Sequence, residues 1–394
     1  MDFADSSYTR RVMFPHFREK LALAARSPRY VRSRVRNRVW GPDRASFPSD
    51  ITLFLTDRCN FACKMCAYGE ARADRQSAMR TDMPLALVDK ACSEASGYGA
   101  FVELFGGEPL LHPEIAEAVR IASRHNVIAT LSTNGLLLPR LARLLVQNRV
   151  PIVRISLDGW DEPSQRARGN VAHSFQTILD GIRELSRLKN GSVFPSVRIV
   201  TVITKVNFDT LHRIQSEVYA AGVRHWTILN YQFITREAVD AHRRSGFGDH
   251  FISDPVGSGG YLNAGEIGDL RRSLLEVQRN ARSSMRDMKV YYPWHLDLER
   301  YYSELPPSPR TVCTMPLNRI DIHRDGRIAL CGDGYTIGNL HQETIRSAWT
   351  GERMRQFRAV WNKTASFPMC FRCCGIENTI SFEGREVPAE ATAQ

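Results

Sequence analysis

Cys59, Cys63 and Cys66 share one short segment, TDRCNFACKMC, directly behind the apolar run ITLFLT. A 4Fe–4S cluster normally takes four thiolates, one per iron. A loop offering three can hold three irons and leave the fourth open to a small molecule. A structural zinc ion would want four ligands with paired short spacings, and no second pair lies near this loop. The competing readings are a chance grouping and a redox switch.

Five more cysteines come late: Cys313, Cys331, Cys370, Cys373 and Cys374. Cys313 and Cys331 flank LNRIDIHRDGRIAL, which reads as two alternating strands turning at Arg324-Asp325-Gly326; Asp-Gly there is a strong hairpin signal. A helix-rich stretch follows, and CFRCC returns the chain with a Cys-x-x-Cys pair. Four thiolates from two separated segments make a closed site, suited to zinc or to iron–sulfur. Cys92, within a helical pattern, reads as a small buried apolar residue.

The elements that must position these groups are short β-branched runs alternating with longer helical patterns, the mark of βα units and a parallel sheet. Strands are expected at 51–56, 101–105, 127–132, 153–157, 197–204 and 225–231. Helices are expected at 84–96, 113–125, 139–148, 175–188 and 208–221. Six units suit an incomplete (β/α)6 TIM-type barrel, whose working residues sit at the carboxyl ends of the strands. Gly106-Gly107-Glu108-Pro109 closes the second strand, 40 residues after Cys66. Two glycines there let backbone approach a ligand closely. The third strand ends Ser132-Thr133-Asn134-Gly135 and the fourth Ser156-Leu157-Asp158-Gly159. Both ends offer groups that can bond a ribose or a carboxylate, although Asn-Gly and Asp-Gly are also ordinary turn signals.

The three-cysteine loop behind a first strand, followed by GGEP at the second strand end, resembles the radical S-adenosylmethionine (radical SAM) family. One position departs from the usual pattern: Met65 stands before the third cysteine, where the family often has an aromatic residue. The resemblance implies a 4Fe–4S cluster on Cys59, Cys63 and Cys66 whose open iron chelates SAM. It implies that Gly106, Gly107, Glu108 and Pro109 serve the SAM amino group, and that Asn134, Ser156 and, less directly, Asp158 serve its ribose or carboxylate. Lys205 and Asn207 are candidates for the adenosyl part. The order Cys, twelve residues, Gly, four residues, Cys, then IGN, AW and a late Cys-x-x-Cys is similar to the SPASM/twitch module. That likeness implies a small α+β twitch domain, a β-hairpin plus helix, with one auxiliary 4Fe–4S cluster on Cys313, Cys331, Cys370 and Cys373. Cys374 is a bystander, a substitute for Cys373 or a redox-active thiol.

The expected organisation is a basic N-terminal extension (1–50), the barrel (51–232), a bridging region (233–310), the auxiliary-cluster domain (311–380) and a polar tail (381–394). Of the net charge of +11, +6 lies in residues 1–50, densest in RSPRYVRSRVRNR. A solvated arm is the expected reading. Nucleic-acid binding would ask for interleaved aromatics, and only Tyr30 and Trp40 are near. No apolar run is long enough to span a membrane, and nine cysteines, clustered at two places apart from Cys92, read as metal ligands rather than a secreted disulfide scaffold, so a reducing cytoplasm is expected.

The reaction implied is reductive cleavage of SAM to a 5′-deoxyadenosyl radical that takes hydrogen from a substrate. The leading expectation is a small polar metabolite, oxidised or epimerised, with the auxiliary cluster as electron relay. Tyr291, Tyr292, Trp294 and Tyr301 either wall that pocket or pack between domains. The resemblance also implies an electron donor such as flavodoxin or ferredoxin. The alternatives are a maturase of a ribosomally made peptide, for which 50 residues before the first strand look short of a leader-binding module, and a non-catalytic iron–sulfur electron carrier.

Overall fold

The computed structural model describes residues 13–40, 45–63, 65–66, 82–244, 262–294, 296–302, 313, 315–331, 334–364, 367–370 and 372. Helices α1 (Met13–Arg26) and α2 (Pro28–Trp40) come first. Strands β1 (Asp50–Phe54), β2 (Phe101–Phe105), β3 (Ile128–Thr133), β4 (Ile152–Ser156), β5 (Ser196–Val202) and β6 (His225–Leu229) follow. Between them run α3 (Leu85–Tyr98), α4 (Ile115–Arg124), α5 (Leu138–Gln147), α6 (Glu162–Gly169), α7 (Ser174–Lys189) and α8 (Leu211–Ala220). Then come α9 (Arg236–His242), α10 (Ala264–Arg282), β7 (Lys289–Tyr291) and α11 (Leu298–Tyr302). The chain closes with β8 (Arg319–Ile322), β9 (Arg327–Leu330), β10 (Tyr335–Asn339), α12 (Ile345–Thr350) and α13 (Glu352–Thr364).

Among the described residues ten strands form one sheet in the order β10-β9-β8-β1-β2-β3-β4-β5-β6-β7, parallel from β1 to β7. Because side chains alternate across a strand, Val102, Leu104, Ala129, Leu131, Val153, Ile155 and Ile199 share one face and are buried in the main apolar core with the helices. Each of the valine, leucine and isoleucine side chains contributes about 1.5–3 kcal/mol when fully buried. The other face of the same strands carries Glu103, Ser132, Arg154 and Arg198, an unusually charged interior for a barrel. The partial barrel expected from the sequence is therefore present.

Three features differ from expectation. A seventh parallel strand, β7, pairs with β6 through His225↔Lys289 and Thr227↔Tyr291, so part of the bridging region belongs to the sheet. The C-terminal hairpin does not stand apart: β8 pairs with β1 in parallel through Ile51↔Ile320 and Leu53↔Ile322, and β9 and β10 continue the sheet in antiparallel fashion. Residues 13–40 are not a solvated arm. Arg26 donates to the Arg149 carbonyl at 2.7 Å, and the backbone of Arg29 lies so close to Gly99 (φ +69°) that a Cβ there would sit 2.3 Å from it. Glu19 of α1 is buried against Arg198 and His225. Among the described residues no helix is long and apolar enough to cross a membrane.

Candidate cluster and cofactor site

The loop after β1 is fixed at its root before the first cysteine. Thr56 donates through Oγ1 to Asp82 at 2.5 Å and accepts the Arg58 N–H at 3.1 Å, while Arg58 pairs with Asp82 at 3.1 Å. Gly107 N–H donates to the Thr56 carbonyl at 2.8 Å and Glu108 N–H to that of Arg58 at 2.6 Å. The end of β2 is thus stitched to the start of the cysteine loop. Gly106 has φ +132°, and a Cβ there would lie 2.6 Å from the Thr56 carbonyl oxygen, so only glycine fits this close approach. The carbonyls of Gly106 and Gly107 accept no hydrogen bond among the described residues, which leaves them able to receive an ammonium group.

Glu108 does not point outward. Its buried carboxylate accepts from the Leu110 and Asn134 N–H groups (3.1 and 2.7 Å) and the Thr133 hydroxyl (2.7 Å). Burial raises its pKa to about 7, against the pull of these donors. Its place is to lock the end of β2 to that of β3. Pro109 is buried and opens a short 3-10 turn. Asn134 extends from that lock toward the loop: its Nδ2 donates to Asn60 Oδ1 at 2.6 Å and lies 3.9 Å from Cys59 Sγ. Ser156 is half-buried at the end of β4, and its hydroxyl makes no hydrogen bond among the described residues.

Asp158 is buried and engaged, accepting the Val202 N–H at 2.7 Å and facing Arg168 Nε at 2.9 Å. Arg168 is what reading the sequence missed. It stands at the end of α6, a helix capped by the reciprocal Asp161–Ser164 box, with Asn170 in the left-handed conformation closing it. Gly169 beside it admits the Phe61 ring, which a Cβ would strike at 2.9 Å. The guanidinium acts electrostatically on the Cys63 thiol and lies over the Phe61 ring at 5.8 Å. Burial raises the Cys63 thiol pKa, while Arg168 works to lower it. Arg168 Nη1 is buried and has no hydrogen-bond partner among the described residues. The signal for it in the sequence is faint: an Arg-Gly pair shortly after the Asp-Gly strand end.

Lys205 and Asn207 are not brought to this place as ligands. Lys205 pairs with Glu266 of α10, and Asn207 is buried, tying the Asp158 and Val202 carbonyls (2.9 and 3.0 Å). The bridging aromatics divide. Tyr301 and Tyr302 are buried and meet edge to face at 5.0 Å, with Tyr301 edge-on to Phe233 as well, whereas Trp294 is exposed. Tyr292 and Tyr302 both bond Asn230. They pack the rim behind β6.

In the C-terminal part, Cys313 is buried, Cys331 follows β9 with an exposed edge and φ +55°, and Cys370 ends a 3-10 turn where its Sγ accepts the Phe367 N–H at 3.4 Å. Desolvation by its surroundings, then the thiols of Cys313 and Cys370, raise the pKa of Cys331 well above the usual thiol value. The three sulfurs therefore share one neighbourhood. Cys373 and Cys374 lie outside the described residues.

The thiols of Cys59, Cys63 and Cys66, and those of Cys313, Cys331 and Cys370, are unbridged and offer the donor chemistry an iron–sulfur cluster takes, one thiolate per iron. The buried, unpartnered Nη1 of Arg168 beside Cys63 suits an anionic group at the first loop.

A family model described as the radical SAM superfamily matches residues 53–217, and one described as an iron–sulfur cluster-binding domain, SPASM, matches residues 313–374. The chain is 24% identical over 349 residues to the tungsten-containing aldehyde ferredoxin oxidoreductase cofactor-modifying protein of Pyrococcus furiosus, covering 82% of this chain and 86% of that one. It is 30% identical over 167 residues to GTP 3′,8-cyclase of Microcystis aeruginosa, covering 41% of this chain and 50% of the relative, so the match spans only half of that enzyme. In fold it is similar to Streptococcus suis SuiB bound to S-adenosylmethionine, with a TM-score of 0.58, 16% identity, and coverage of 85% and 75%. The Met65 departure leaves the domain match intact. The chain is a radical SAM enzyme with a C-terminal SPASM-type domain, using SAM, a 4Fe–4S cluster and auxiliary iron–sulfur.

Proposed function

We propose that this enzyme removes hydrogen from a small polar metabolite and completes a two-electron oxidation. Epimerisation is the other outcome of the same first step. Cys59, Cys63 and Cys66 would hold the cluster at which SAM, given one electron, would yield methionine and a 5′-deoxyadenosyl radical to take the hydrogen; the substrate radical would then give one electron to the auxiliary cluster and one proton to solvent. The chain's own groups do the placing. Gly106 and Gly107 present carbonyls to the SAM amino group, Arg168 faces the anionic side of the cofactor, and Asn134 and Ser156 offer polar contacts at adjacent strand ends.

One observation carries the oxidative reading. The Tyr301 hydroxyl lies 3.0 Å from the Tyr231 carbonyl, just beyond β6, and 3.1 Å from the Arg372 carbonyl, between Cys370 and Cys373. Arg372 Nε returns a bond to the Tyr301 carbonyl at 2.7 Å, and its guanidinium lies 4.5 Å over Phe233. Arg372, two residues after Cys370, is thus fastened to the rim of the barrel, which supports a one-electron acceptor within reach of a substrate radical. Changing Cys313 and Cys331 to Ala should leave 5′-deoxyadenosine formation and stop oxidised product; unchanged product would sink the relay.

A peptide substrate is the second reading. It is favoured by the surface of α1 and α2, where Leu21, Val31 and Val35 are exposed beside exposed Arg29 and Arg32, a surface suited to an acidic segment with apolar side chains.

A further inference from the structure

We infer that the barrel interior holds an anion subsite centred on Arg154, and that the substrate carries a carboxylate or phosphate which this arginine binds. The inference rests on the reading of the enzyme given above and names the substrate's chemical class.

The sheet register places cations side by side. Arg154 of β4 is the direct partner of Arg198 of β5, and His225 of β6 that of Lys289 of β7. Because Ile199 pairs with Trp226, Arg198 is level with His225. Four consecutive strands, about 4.8 Å apart, therefore carry basic side chains at one level and on one face. Arg319 of β8 joins them from the other side, 3.6 Å from Glu103. Like charges on neighbouring strands repel, and this row persists only with counter-charges.

Among the described residues the carboxylates that face them are each engaged, and Asp50 of β1, the direct partner of Arg319 in the sheet, stands with them. Glu103 accepts from Ser132 at 2.7 Å and Arg154 at 3.0 Å. Asp321 takes Arg319 at 3.1 Å. Glu19, reaching in from α1, takes Arg198 and lies 3.4 Å from His225. Against these stand Arg154, Arg198, Lys289 and Arg319, with His225 between Arg198 and Lys289. Burial and then Arg198 lower the pKa of Lys289, as expected where cations crowd.

Arg154 is the group with capacity to spare. It gives one nitrogen to Glu103, makes no other polar contact among the described residues, and keeps 35% of its side chain exposed inside the barrel. A guanidinium fork with free nitrogens matches a carboxylate or phosphate in two-point contact. Arg154 lies two residues before Ser156, or about 7 Å below the carboxyl end of β4. A substrate anchored there by its anion directs its other end toward the cysteine loop.

The test uses the full-length holoenzyme under anaerobic conditions with phenylglyoxal, reading modification of each arginine by peptide mass spectrometry. Inorganic phosphate and succinate are the two probes. Arg154 should react, and one or both anions should slow it at least fivefold and saturably; the effective anion tells whether the substrate carries phosphate or carboxylate. Calorimetry should show the same anion binding wild type at least tenfold tighter than R154Q. An unreactive Arg154, absence of protection, or equal protection of the surface residues Arg29 and Arg32 would overturn the inference. If R154Q fails to fold by circular dichroism, the wild-type protection pattern alone decides. Formation of 5′-deoxyadenosine by wild type is scored separately, so its absence sinks the enzymatic reading and leaves the anion result standing.

Discussion

Replacing Arg168 with Met should cost more stability at neutral pH than in mild acid. Arg168 and Asp158 keep only 13% and 5% of their side chains exposed, and they face each other at 2.9 Å. Removing one member of a buried ion pair costs roughly 3–5 kcal/mol, because the survivor is left charged without a partner. The alternative for Asp158 is to take up a proton. Burial already raises its pKa above the ordinary value of 3.8, with Arg168 opposing, so the protonated form becomes the folded one once the arginine is gone. Holding the acid protonated at pH 7 costs about 1.36 kcal/mol for each pH unit above 3.8, or about 4 kcal/mol. At pH 5 the same reasoning gives about 1.6 kcal/mol. The sign follows from linkage: the variant's folded state binds the extra proton, so its deficit grows as pH rises from about 4 to 7. Urea unfolding at the two pH values, followed by circular dichroism, reads the difference. Arg168→Met combined with Asp158→Asn should recover most of the loss, since the Val202 N–H still meets an oxygen at position 158. A single variant within 1 kcal/mol of wild type at pH 7, or a double variant no better than the single, would refute the pairing as the cause.

Alanine at Cys59, Cys63 and Cys66 together should abolish 5′-deoxyadenosine while leaving about half of roughly eight irons per chain; iron assay and chromatography decide, and persistent cleavage counts against the loop. Gly106→Ala should cost about 3 kcal/mol from its strained backbone and the 2.6 Å approach to Thr56, and should weaken SAM binding; an unchanged unfolding midpoint contradicts the stitch. For Glu19, burial raises the pKa but His225 and Arg198 outweigh it, bringing the carboxyl to about 2 from 4.5. Its contribution, up to about 3 kcal/mol, is present above pH 4.5 and lost as pH falls toward 2. Glu19→Gln should therefore flatten the acid limb of stability, and identical limbs would show that the residue is solvated.

The strands were legible because their apolar runs are short and punctuated: β2 falls on its expected residues, and β1, β3, β4, β5 and β6 start and end within two residues of theirs. The cysteine loop and GGEP were legible because both lie in single stretches of chain. What escaped was non-local. KVY in β7 is too short to show a period, and only its pairing to β6 makes it a strand. Arg168 is one arginine among many until α6 turns it onto Cys63. The N-terminal charge count could not foresee that Glu19 would find Arg198, 179 residues later, and draw α1 against the barrel.

The charged interior also explains why that helix is needed. A complete barrel fills its centre with layers of branched apolar side chains, which exclude water without further help. Here Glu103, Arg154, Arg198 and Arg319 occupy that space, and bare charges open to water at both ends would hold a ligand weakly, since bulk solvent screens them. Glu19 enters where Arg198, His225 and Lys289 lie near the starts of β5, β6 and β7, and α1 covers that end. The carboxyl ends remain the side on which the cysteine loop, Gly106 and Ser156 stand. A polar substrate admitted there meets a lowered dielectric, one arginine with donors to give, and the cofactor site above it. The segment that reads as a solvated basic arm in the sequence is thus what shields the charges of the lumen from bulk water at that end.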